Sequence, residues 1–209
     1  MVPAGSDLVK QGGRPARSTL LLHGWASRYS TLVDGRRQML ALHIAGDFVD
    51  LHSYPLKVMD HSVGALTDCT TVSIPHERLR RLTEDDPHLG RVLWLMTLID
   101  SAILRKWLLG AGQQTALEHA AHLYCELYTR LDIAGIAKPD HCFALPLSQA
   151  EFGDALGITP VHVSRTLSEL RARNLLEWRR GKAQILDWPK LSRLAEFDPV
   201  YLSILDEPR

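Results

Sequence analysis

Two periodicities divide this chain. Through the first third, apolar residues come in short runs separated by turn-forming pairs: STLLLHGWA, then RYSTLV ahead of Asp34-Gly35, then QMLALHI, then GDFVDL at residues 46–51. Runs of that length, bounded by glycine and polar residues, predict antiparallel strands in a small sandwich or barrel over residues 7–74. Beyond them the apolar spacing lengthens to three and four. Residues 75–82 predict a short helix leading away from the sheet, and residues 87–109 a longer one. Leu89, Val92, Leu93, Met96, Ile99, Ile103 and Trp107 form the apolar stripe of the longer helix. Gly110 and Gly112 interrupt that pattern and are expected to act as a hinge. A further helix over residues 114–133 is expected to lead through a loop, residues 134–144, into the C-terminal third.

There the pattern is denser. Ser148 can accept a bond from an orphan backbone N–H, and Glu151 three residues on completes a capping box. Phe152, Ala155 and Leu156 follow at helical spacing, and Gly157 can take the left-handed conformation that ends a helix. Thr159-Pro160 starts a second helix with a cap and a residue whose missing N–H costs nothing there. Val163, Leu167 and Leu170 are its buried side, leaving Val161, His162, Ser164, Arg165, Ser168 and Glu169 on the other. Trp178, Arg179, Arg180, Gly181 and Lys182 then read as the tip of a two-stranded basic hairpin, with Gly181 permitting the tight turn. Two amphipathic helices around a glycine turn are common in α-helical proteins. The double capping, the spacing and the basic hairpin together favour a device that sets one helix into the major groove of DNA.

These residues resemble the winged helix-turn-helix of the Crp/Fnr transcription regulators, and the resemblance extends upstream to GDFVDL, so that nearly the whole chain is covered. It implies an α+β architecture of four parts: a cyclic-nucleotide-binding-like jelly roll (residues 1–83), a dimerisation helix and hinge (84–112), a Crp-type winged helix-turn-helix (113–189) and a C-terminal tail (190–209). It also implies a homodimer paired through Leu89, Val92, Leu93, Met96, Ile99 and Ile103, acting on double-stranded DNA with RNA polymerase as a further partner. The DNA contacts are then assigned to Ser148, Thr159, Pro160, Val161, His162, Ser164, Arg165, Ser168, Arg179, Arg180 and Lys182. Arg165 is the candidate for a bidentate guanine contact. Many relatives carry a glutamate where this chain has Val161, so their base preference does not transfer. Compared with the family, the start of the chain is expected to lack a lead-in helix and part of the first strand.

A bound cyclic nucleotide needs a cation for its phosphate and a hydrogen-bonding group for its ribose. Where cAMP-binding relatives have Gly-Glu after the GDF segment, this chain has Asp50 and Leu51; where they have Arg-Ser, it has His61 and Ser62. The site is therefore expected to be lost or altered for cAMP, with Arg36 or Arg37 as the replacement cation if it is retained. No other cofactor is assigned. Cys69, Cys125 and Cys142 are too few and too scattered for an iron–sulfur cluster, and Cys125 reads as a buried structural thiol. His43, His52, His61, His76 and Cys69 all come from the strand-rich region, but lone histidines on strands and turns are by default ordinary hydrogen-bonded groups, so no metal or haem site is assigned. Asp68 beside Cys69 argues against a reactive thiolate.

Composition adds bounds. The 209 residues carry 24 Lys plus Arg and 24 Asp plus Glu, so bulk charge does not announce a nucleic-acid partner. Local charge does: residues 165–182 hold Arg165, Arg171, Arg173, Arg179, Arg180 and Lys182 against Glu169 and Glu177. Three cysteines without paired spacing suit a reducing compartment, and no long apolar run or signal pattern is present, so a cytoplasmic protein without membrane contact is expected. No nucleophile motif, phosphate loop or paired acid and base suggests an enzyme. The competing reading is a haem, metal or redox sensor whose output is a protein–protein contact; the basic wing speaks against it.

Overall fold

A computed structural model describes residues 1–203. They form two compact units, residues 1–103 and the chain from residue 104 onward, and the chain passes from one to the other inside a single helix.

The first unit contains β1 (Asp7–Val9), β2 (Arg17–His23), β3 (Ala26–Thr31), β4 (Arg37–His43), the one-turn helix α1 (Ser53–Leu56), β5 (Ser62–Ala65) and β6 (Thr70–Pro75). Every pairing is antiparallel, in a four-stranded sheet ordered β1-β5-β3-β4 and a two-stranded sheet β2-β6. Val9, Leu21, Ala26, Val49, Met59, Val63, Ala65 and Cys69 close into its core. Residues 46–51, expected as a strand, form a turn with one isolated bridge, Leu20 to Phe48. The reason lies in two carboxylates turned back onto the main chain. Asp47 accepts the Ile44 N–H at 2.9 Å, and Asp50 accepts the N–H of Thr19. Val49, Asp50 and Leu51 are all buried, so the two-residue alternation of a half-buried strand is absent.

Helix α2 (His76–Asp85) runs three residues beyond the expected end, and α3 (Pro87–Gln113) continues through both glycines. Gly110 therefore does not break the helix. It is buried where the His119 ring crosses α3; a Cβ there would lie 2.5 Å from His119 Cδ2. Close approach, rather than flexibility, explains this glycine.

The second unit is arranged around α4 (Ala116–Ile133), whose residues 119–128 are buried without interruption. Thr115 and Glu118 form a full capping box at its start, a local signal present in the sequence. The expected loop ends in a strand, β7 (Cys142–Ala144). Then come α5 (Gln149–Leu156), α6 (Pro160–Ala172), β8 (Leu176–Arg179), β9 (Lys182–Ile185), α7 (Trp188–Leu194) and a 3₁₀ turn (Pro199–Leu202). The wing is thus three-stranded, ordered β7-β9-β8.

The expected C-terminal tail, as far as it is described, packs one side into this unit. Leu191, Ala195 and Leu202 are buried, and Tyr201 donates its hydroxyl to Glu126 Oε2 at 2.9 Å; residues 204–209 lie outside the described residues. Glu126 is fully buried. Trp107 Nε1 donates to it, Arg130 lies 3.5 Å away, and burial still pushes its carboxyl above the usual range. No helix among the described residues is long and apolar enough to cross a membrane.

Candidate nucleic-acid interface

Helix α5 begins as the sequence dictates: Ser148 Oγ accepts the Glu151 N–H at 3.1 Å, and Glu151 Oε2 accepts the Ser148 N–H at 2.7 Å. Gly157 ends it with φ of +70°, a conformation only glycine adopts without strain. Thr159 Oγ1 then accepts the His162 N–H at 3.3 Å, and α6 follows with Pro160 in its first turn. Phe152, Leu156, Val163, Leu167 and Leu170 bury their side chains, each contributing about 1.5–3 kcal/mol relative to exposure. Tyr124 of α4, Phe152 of α5 and Trp178 of β8 meet at ring separations of 5.2 to 6.4 Å and fix the wing to the helices.

That packing leaves one side of α6 uncovered. Val161, His162, Ser164, Arg165, Ser168 and Glu169 are all exposed, as are Thr159 and Pro160 at its start. Among the described residues Arg165 makes no hydrogen bond or ion pair, so its guanidinium fork is free. An open cleft runs between this face and the capped start of α4, lined by Thr115, Leu117, Val161, His162, Arg165 and Glu169. At the wing tip Arg180 and Gly181 both have positive φ, +51° and +73°, as a two-residue hairpin turn of matching twist requires. Arg179, Arg180 and Lys182 are exposed there, with Glu177 3.6 Å from Arg179.

Some predicted contact residues already have local partners. Ser148 also donates its hydroxyl to Glu151, and Ser168 donates to the Ser164 carbonyl at 2.8 Å. Both hydroxyls can still accept, but a phosphate needs a donor. Trp178 is not at the tip: its Nε1 donates to the Leu145 carbonyl at 3.2 Å, and the ring is packing.

Residues 118–194 match the profile of the Crp-like helix-turn-helix domain, and residues 1–86 that of the cyclic nucleotide-binding domain. A probable transcriptional activator of Rhizobium leguminosarum bv. viciae is 31% identical over 170 residues, which span 81% of this chain and 69% of that protein. The transcriptional activator protein FnrL of Cereibacter sphaeroides is 31% identical over 186 residues, 88% of this chain and 73% of FnrL. The chain belongs to the Crp/Fnr family. Its fold agrees: the structure of FixK2 from Bradyrhizobium japonicum superposes with a TM-score of 0.83 at 25% identity, covering 92% of this chain and 94% of FixK2. Crp/Fnr proteins are DNA-binding transcription regulators, not enzymes, and the α+β order of strand-rich unit, long helix and winged helix-turn-helix is the family's.

In this Crp/Fnr chain the positions expected to meet a cyclic nucleotide are otherwise engaged. Asp50 is buried, bound to Thr19, and burial pushes its carboxyl up to about 6. His61 is buried with Nδ1 2.7 Å from Asp60 Oδ1, and Ser62 Oγ accepts the Gln11 N–H at 3.0 Å. Arg36 pairs with Asp34 in the exposed β3–β4 turn, and Arg37 lies over the Tyr29 ring. The arginine that the strands do bury is Arg28 of β3, which pairs with Asp100 of α3 at 2.7 Å and which the sequence reading missed. Cys69 is buried, its thiol directed at the Trp25 and Thr67 carbonyls, and burial pushes its pKa up.

The expected dimer stripe of this Crp/Fnr helix is largely covered by its own chain. Leu89, Val92, Leu93, Met96 and Ile99 are half-buried and Ile103 is buried, on the side of α3 that carries Asp100. Exposed apolar residues of α3 lie elsewhere on the helix: Trp94 at 65%, Leu104 at 43% and Leu108 at 72% on one face, with Leu98 at 48% and Leu109 at 50% flanking it.

Proposed function

We propose that the protein is a homodimeric, sequence-specific transcription regulator that reads a partly palindromic operator with two copies of α6 set about 34 Å apart. The observation that carries this reading is the exposed face of α6, with Arg165 free of any partner among the described residues, beside a wing whose tip presents Arg180 and Lys182. Arg165 makes a bidentate contact to a guanine edge; His162 and Ser164 reach bases or phosphates; Pro160 and Val161 offer apolar surface to a thymine methyl. The wing grips phosphates. As a DNA-acting regulator the protein works in the cytoplasm, with RNA polymerase as the further partner.

Two copies pair through α3. Trp94, Thr97, Ser101, Leu104 and Leu108 alternate three- and four-residue steps, the spacing of a coiled-coil seam, and they include the helix's most exposed apolar side chains. Control is not by cAMP: His61 replaces the phosphate-binding arginine, and Asp50 is spent on Thr19.

Arg165→Ala tests the base-reading role. It is expected to weaken binding to a selected operator by about 1–3 kcal/mol while leaving scrambled DNA largely unaffected. Equal losses on both would sink that role. Calorimetry with cAMP is expected to show no micromolar binding and no gain in operator affinity; both together would overturn the effector reading.

A further inference from the structure

The first unit buries more imidazole than its fold uses. His43 and His61 are 3% and 4% exposed, His52 is half-buried, and the Nε2 atom of each is buried without a hydrogen-bond partner. A buried polar atom left unpaired costs about 1–3 kcal/mol, so three in one region ask for a ligand. Two of them are neighbours: the His52 and His61 rings are 4.9 Å apart between centroids.

The opposite ring edges are held. His61 Nδ1 lies 2.7 Å from Asp60 Oδ1, and His43 Nδ1 lies 3.7 Å from Asp47 Oδ2. At His43 the Asp47 carboxylate beside Nδ1 favours the tautomer whose other nitrogen carries a free lone pair, the arrangement that supports metal-ligating histidines, whereas Asp60 is close enough to His61 to share an ion with it. His52, Asp60 and His61 each offer a ligand atom, and the three atoms all lie within 4.8 Å of one another. A tetrahedral ion with ligands at about 2.0–2.1 Å holds its donors roughly 3.3 Å apart. Side-chain rotations that draw these atoms together by about 1 Å or more therefore close the site.

The geometry points to a binding site for a borderline divalent transition-metal ion, Zn²⁺ or Ni²⁺ in chemical class, held by His52, His61 and Asp60. Imidazole and a single carboxylate suit such ions and not Mg²⁺ or Ca²⁺, which take oxygen ligands. Burial keeps all three histidines below the usual imidazole pKa, so they meet a metal neutral. The site also has a route to α3. Arg28, whose Nε is buried without a partner, bears electrostatically on all three histidines and pairs with Asp100 of that helix. A dication placed here presses on Arg28 and so on the ion pair to α3.

This inference does not depend on DNA binding, and its test reads occupancy alone. Untagged full-length protein, stripped with a chelator, is titrated with Co²⁺ and followed by visible d–d absorption, then displaced with Zn²⁺. One Co²⁺ per chain, displaced by Zn²⁺ and not by millimolar Mg²⁺, is expected. His52→Ala and His61→Ala should each weaken binding at least tenfold, and Asp60→Asn by about ten- to a hundredfold. His61→Gln and His52→Gln, which keep more of the side-chain volume, serve if an alanine variant does not fold. No saturable Co²⁺ binding, or affinity unchanged in the folded His52/His61 double variant, overturns the proposal.

Discussion

His119 lies under Gly110 with its ring buried, and burial lowers its pKa to about 4 from 6.5. The unfolded chain therefore takes up a proton on this ring first as the pH falls. Stability contributed by the neutral ring is complete above about 6.5 and is lost between there and about 4, up to about 3 kcal/mol. His119→Gln should flatten that part of the acid slope in urea unfolding at pH 7 and pH 5; an unchanged slope would place the ring in water. Gly110→Ala should destabilise by about 1–2 kcal/mol, because overpacking against the ring exceeds the roughly 1 kcal/mol that alanine gains in a helix. In a His119→Ala background the same change should stabilise, and a cycle without that reversal would reject close approach as the reason for glycine. The sequence shows glycine as a break in an apolar pattern, but whether it bends a helix or admits a neighbour depends on a ring nine residues away. Arg28 and the buried histidines were hidden for the same reason: strand alternation gives a side, not what faces that side.

At the scale of elements, the winged helix-turn-helix was legible because its signals are local. Ser148 with Glu151, Gly157, and Thr159 with Pro160 each act within one turn of chain, and each cap is observed. The third wing strand was not, since β7 pairs with β9 some forty residues later and consists of only Cys142–Ala144. Residues 46–51 were misread because Asp47 and Asp50 bond to main chain that lies elsewhere in sequence or around a turn. The wing predicts a measurable slope. If Arg179, Arg180 and Lys182 each meet a phosphate, neutralising all three should lower the salt dependence of log K by about 2.7 and weaken binding to every sequence alike. A slope unchanged from the parent protein would take the wing off the DNA.

At the scale of the molecule, the proposed pairing of two copies through α3 uses a different face of that helix from the one the apolar periodicity suggested. Periodicity finds an apolar stripe without saying which partner covers it. The stripe from Leu89 to Ile103 lies with Asp100, whose carboxylate meets Arg28 of the same chain, and it is half-buried or buried before any second copy arrives. The face bearing Trp94, Leu104 and Leu108 is exposed along four turns, more apolar surface than a lone helix gains by showing to water. The two faces make different predictions. Charge on the exposed face, Leu104→Glu with Leu108→Glu, sets like charges opposite one another across a two-fold seam and should give monomers at micromolar concentration that unfold like the parent. Charge on the inner face, Met96→Glu with Ile99→Glu, should first destabilise the chain, by burying unpaired carboxylates against its own strands. Sedimentation paired with urea unfolding separates them. A folded monomer from the Met96/Ile99 pair and an intact dimer from the Leu104/Leu108 pair would return the seam to the inner stripe.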